Sequence, residues 1–161
     1  MISEILKKMI LYSNGNLHDI NHFIKVWAYA KTIAELEGVD ESTKYILETA
    51  AIVHDIACPV LRARFGSCDG KMQEIEGPDL AKEFLEEFEF SEEQLSRVLY
   101  LVGHHHTCED VNGIDYQILL EADYIVNAGE SGYSLESIKK TDAALFRTAS
   151  GKSILESIFG F

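Results

Sequence analysis

The sequence predicts an all-α protein. Apolar residues recur at helical rather than alternating spacing almost throughout, no segment reads as a convincing strand, and only two prolines, Pro59 and Pro78, interrupt the 161 residues. Hydrophobic residues make up 47% of the chain and charged residues 25%, the balance of a folded globule rather than a disordered segment. The length suits one domain over residues 1–161.

A first helix is expected over Ser3 to Tyr12, ending at the Ser13-Asn14-Gly15-Asn16 turn, whose residues tolerate left-handed backbone. The second runs from about Asp19 to Glu37 and places His18, His22, Val26, Ala30, Ile33 and Ala34 on one face. Asp40 is the expected N-cap of a third helix reaching Asp55, with the inner stripe Ile46, Leu47, Ala50, Val53 and His54. Pro59 reads as its stop, and the stretch through Gly66, Cys68 and Gly70 as a long loop. Further helices are expected from about Pro78 to Phe88, from Glu92 to about His105 behind a Ser91 cap, and from Asp115 to Asn127. The tail, residues 134–161, reads as two short helices divided near Ser150-Gly151, for a total of six to eight.

A formal charge of −13 disfavours a nucleic-acid polymer or an anionic membrane as partner. Arg62, Arg64 and Lys71 nonetheless form a basic island opposed only by Asp69. The three cysteines (Cys58, Cys68, Cys108) are odd in number and lack a Cys-x-x-Cys pair, so the expectation is bystander thiols in a reducing cytoplasm. No apolar run is long enough to span a membrane, and the N-terminus does not read as a signal peptide.

Four helices each carry a polar residue where their apolar stripe should continue. His22 precedes Val26 and Ala30, His54 follows Ile46 and Ala50 with Asp55 beside it, His105 follows Val98 and Val102, and Asp123 follows Leu119. One divalent cation would account for all of them, because it stabilises buried carboxylates and takes neutral imidazole as a further ligand. Mixed His and Asp donors without thiolate suit Fe, Mn, Co, Ni or Zn rather than Ca.

These residues resemble the HD superfamily of metal-dependent phosphohydrolases: a lone His22 in His22-Phe-Ile-Lys25-Val26, the pair His54-Asp55 closing Ala50-Ala51-Ile52-Val53, and Asp123 in Leu120-Glu121-Ala122-Asp123. The resemblance covers about residues 18–132, with the helices of 134–161 beyond it, and implies an HD-type helical bundle. It implies His22, His54, Asp55 and Asp123 as metal ligands and hydrolysis of a phosphate ester or anhydride. His105 or Glu121 would move protons, and Lys25, Arg62, Arg64 and Lys71 would balance phosphate charge on a small phosphorylated substrate. Two-metal relatives place a histidine four residues before a glycine where this chain has Gln73 before Gly77, which points to one ion. Glu74 or Glu76 could substitute, and His104, His105 and His106 offer a second ion or a substrate further contacts. A di-iron oxygenase and a non-catalytic signalling or interaction module are the alternatives the same scaffold allows. A homo-oligomer is compatible with the sequence.

Overall fold

The computed structural model describes residues 1–161, and every regular element in it is an α-helix. There are nine: α1 Ile2–Tyr12, α2 Leu17–Leu36, α3 Glu41–Val53, α4 Cys58–Phe65, α5 Gly70–Leu85, α6 Glu92–Val102, α7 Ile114–Glu130, α8 Leu135–Leu145 and α9 Ala149–Phe159. Local chemistry starts and stops them. Asn16, Asp40, Asp69, Ser91, Ser134 and Thr148 each accept a backbone N–H from the first turn, and Gln94 completes a capping box with Ser91. Asn14 and Gly15 adopt positive φ (47° and 78°) and reverse the chain between α1 and α2.

Helices α2, α3 and α7 pack on one another at the centre, with α6 against α3 and α5 against α6. Their apolar faces merge into one cluster of 30 buried residues, including Phe23, Ile33, Leu47, Ile52, Leu101 and Ile118. Helix α7 buries residues on nearly every side, from Tyr116 to Ala128, so its polar positions are enclosed by neighbouring helices.

The structure corrects several expected boundaries. The segment after Asp55 is not a loop: Pro59 lies in the first turn of α4, where its missing N–H costs nothing, and Gly66 ends that helix at φ 76°. Helix α5 starts at Gly70 and carries Pro78 inside it, the ring packed beside Gly103. Helix α6 stops at Val102, which leaves His104, His105 and His106 in a turn rather than on a helix. The last two helices divide at Phe146 to Thr148, so Gly151 belongs to α9.

Cys58 and Cys68 are joined in a disulfide, contrary to the expectation of free thiols. An odd total does not prevent one pair, and α4 followed by the turn at Gly66 brings the two Cα atoms to 5.1 Å. Cys108 is exposed and unpaired. With that bond the cysteines no longer speak for a reducing compartment. No helix is long and apolar enough to cross a membrane.

Candidate metal centre

His22 lies in mid-α2, His54 caps the C-terminus of α3 with Asp55 directly after it, and Asp123 lies in α7, so the three central helices each deliver to one point. His22 Nε2 stands 3.2 Å from both His54 Nε2 and Asp123 Oδ1, and 3.4 Å from Asp55 Oδ2. His54 Nε2 is 3.5 Å from Asp55 Oδ2 and 3.6 Å from Asp123 Oδ1. His22, His54 and Asp123 are all buried, and Asp55 keeps about a quarter of its side chain exposed.

The outer ring nitrogens fix which atoms face inward. His54 Nδ1–H donates to the Ala51 carbonyl at 2.8 Å, and His105 Nδ1–H to the Val102 carbonyl at 2.8 Å. His22 Nδ1 lies 2.9 Å from Glu130 Oε2, another acceptor. Each Nε2 is thereby left with its lone pair turned to the centre. Asp123 Oδ1 and His105 Nε2 are buried without a hydrogen-bond partner, which is costly unless something else binds there. Two imidazole nitrogens and the Asp123 carboxylate, with Asp55 Oδ2 beside both imidazoles, fit a divalent cation with mixed nitrogen and oxygen preference.

Protonation is the competing solution when no cation is present. Burial alone would push the His22 imidazole down, but Asp123, Asp55 and Glu130 outweigh it and hold its proton up to about 9. Asp123 and Asp55 are driven the other way: burial would raise both, and the surrounding histidines hold them well below the usual carboxylate range. Metal binding must therefore expel the His22 proton. Between about pH 6 and 8 the apparent Mn²⁺ affinity should rise about tenfold per pH unit, with about one proton released per ion. Titration calorimetry in buffers of different ionisation enthalpy checks this, and a flat affinity would remove His22 from the ligand set.

A second set of donors adjoins the first. Asp55 Oδ1 is 3.3 Å from His105 Nε2, and Asp55, His105 and His106 come close enough to share an ion. The His106 ring lies 4.0 Å from that of His105, tilted by 44°, and sits over Gly70, where a Cβ would meet it at 2.9 Å. Gln73, one turn on from Gly70 along α5, is buried with Oε1 unpartnered. Replacing Gln73 by His should raise bound metal from one ion toward two per chain, because imidazole is a far better ligand than a neutral amide. Elemental analysis reads the result, and two tightly held ions in the unaltered protein would show that Gln73 blocks nothing.

Other expected site residues lie elsewhere. Glu74 accepts from the His106 N–H and the Thr107 hydroxyl, and Glu76 pairs with Arg64 at 2.9 Å, so neither replaces the missing histidine. His104 stacks on Tyr100 with Nδ1–H donating to the Tyr100 carbonyl, away from the ligands. Glu121 is a correction. Two residues from Asp123 on a helix means about 200° of rotation, and its carboxylate faces α8 and α9, accepting from Gln117 Nε2, the Arg147 and Thr148 N–H groups and the Thr148 hydroxyl. Arg62 is bound to Asp19, Lys25 to Glu130 at 2.8 Å, and Lys71 is exposed. The basic island is thus two ion pairs and one free lysine. Glu130 escaped the sequence reading, although it stands seven residues after Asp123 and hence on the same face of α7.

Fold and centre together define an all-helical protein with a buried His/Asp cluster that could hold a metal ion. The HD domain family model matches residues 19–128, which include all four converging residues, and the chain belongs to that family. No curated protein and no solved structure gives a significant match.

Proposed function

We propose that the protein is a metal-dependent hydrolase of a small phosphorylated or nucleotide-like compound, acting as a phosphomonoesterase or phosphodiesterase. The carrying observation is the convergence of His22, His54 and Asp123 on one point, with Asp55 Oδ2 3.4 Å from His22 Nε2 and a buried Asp123 oxygen left unpartnered. A divalent cation held there supplies Lewis acidity, lowering the pKa of water and offsetting charge on a phosphoryl group.

The protein's own groups take the remaining parts. His105 keeps Nε2 beside Asp55; burial lowers its basicity, but Asp55 more than compensates and raises its pKa, which suits it to hold a proton for a leaving oxygen. Arg62, about one-third exposed, and Lys71, next to the Gly70 that supports His106, are the cations offered to phosphate. Arg62 is already paired with Asp19 and Lys25 with Glu130, which leaves Lys71 as the cation without an acidic partner. That arrangement favours one compact phosphate over a long polyanion. Arg62→Ala should raise KM several-fold with little change in kcat, as for a group that binds ground and transition states alike.

The test is a panel of phosphorylated metabolites incubated with Mn²⁺, Co²⁺ or Ni²⁺ and after chelation. Metal-dependent cleavage of at least one compound, lost with chelator, is expected; no cleavage under any metal would overturn the proposal. The Asp55–His105–His106 set favours one second reading, a two-iron oxygenase. Dioxygen consumption by iron-loaded protein, without phosphate release, would decide for it.

A further inference from the structure

His22 differs from the other inward-facing histidines in what holds it. His54 and His105 sit at the ends of α3 and α6, where the last-turn carbonyls of Ala51 and Val102 are free to accept an Nδ1–H. His22 lies in the interior of α2, where the helix uses its own carbonyls. No main-chain acceptor is at hand there, so a side chain must supply one. Glu130 does so from α7, with Oε2 at 2.9 Å from His22 Nδ1, while its Oε1 takes the Lys25 ammonium at 2.8 Å. Its side chain is only 17% exposed, and Lys25 stands one turn after His22 on α2.

We propose that Glu130 is the positioning residue of the metal centre: it fixes the His22 ring with Nε2 inward and strengthens that nitrogen as a donor, and Lys25 is its counter-ion rather than a phosphate-binding group. This rests on the metal-centre reading above. A carboxylate behind a histidine ligand sets tautomer, orientation and basicity together. Helix α7 then serves the centre twice, with Asp123 as ligand and Glu130 two turns later as support for a ligand on another helix. Lys25 offsets the charge of that carboxylate from the solvent side.

The decisive comparison is Mn²⁺ affinity, by competition with a chelating dye, for the unaltered protein, Glu130→Ala, Glu130→Gln and Lys25→Met. Glu130→Ala should weaken binding by about 10- to 100-fold. Glu130→Gln should lose less, because its amide oxygen still accepts from Nδ1–H but carries no charge, and its matching shape guards against misfolding. Lys25→Met should keep the affinity within about twofold, since it leaves the Glu130–His22 contact in place. In the Zn²⁺-loaded protein, the His22 Nδ1–H proton resonance should be visible and should vanish in Glu130→Ala. Unchanged Mn²⁺ affinity in both Glu130 variants, or a fall in melting temperature alone, would overturn the proposal. Equal losses in Lys25→Met and Glu130→Ala would overturn the counter-ion role. If the unaltered protein binds Mn²⁺ but cleaves no phosphate compound, the hydrolase reading fails and the variant affinities still decide this one. Absence of Mn²⁺ binding in the unaltered protein overturns both.

Discussion

Asp55→Ala is expected to take bound metal from one ion per chain to none that survives dialysis, and to abolish hydrolysis with it. Asp55 is the residue both donor sets share: one oxygen faces His22 and His54, the other faces His105. Its removal leaves two imidazoles and one carboxylate, too few donors and too little charge to hold a divalent ion tightly. The helical fold should survive, because Asp55 lies just beyond the end of α3 and keeps about a quarter of its side chain exposed. Circular dichroism and elemental analysis on the same sample separate the effects. Full metal occupancy in Asp55→Ala would exclude that residue from the ligands.

The second large effect concerns stability. Glu121 is fully buried in α7, and its carboxylate ties the start of α9 to the core through Arg147 N–H at 2.7 Å, Thr148 N–H at 3.0 Å and the Thr148 hydroxyl. A Cβ on Gly151 would stand 2.1 Å from Glu121 Oε2 and 2.6 Å from the Thr148 hydroxyl, so that position admits only glycine unless the carboxylate moves. Gly151→Ala should therefore cost roughly 3–5 kcal/mol, the range for disrupting a buried, fully hydrogen-bonded charge. Glu121→Ala should fall in the same range, because it strands several buried donors. The double variant should lose less than the sum, since Glu121→Ala removes the carboxylate that the new Cβ would strike. Urea unfolding measures all three. A change below about 1 kcal/mol in Gly151→Ala would mean that the clamp is slack. Metal content per folded chain should not change in either single variant, which distinguishes a clamp from a metal ligand.

The centre was more legible in the sequence than its surroundings. His22, His54 and Asp123 could be read because each interrupts an apolar stripe whose inward direction is set by Val26 and Ala30, by Ile46 and Ala50, or by Leu119. Ser91 and Asp40 announced their helix starts, and both make the expected caps. Proline carries two opposite signals: Pro59 reads as a stop, but the same fixed φ that ends one helix pre-forms the first turn of the next. Pro78 concealed the first half of α5 for a similar reason, and with it the face that carries Gly70 and Gln73. Pairings between distant residues left no periodic trace. Arg62 with Asp19, Glu130 with His22 and Glu121 with Thr148 depend on how helices meet, not on spacing within one helix. The rotation between Glu121 and Asp123 was available, and it would have set the two on opposite sides of α7.

The most direct measurement is an anomalous difference map from crystals of the protein loaded with Mn²⁺ or Zn²⁺. A strong peak is predicted among His22 Nε2, His54 Nε2 and the Asp55 and Asp123 carboxylates, with any weaker second peak on the His105–His106 side of Asp55. An empty centre in metal-loaded crystals, or peaks confined to surface carboxylates, would contradict it.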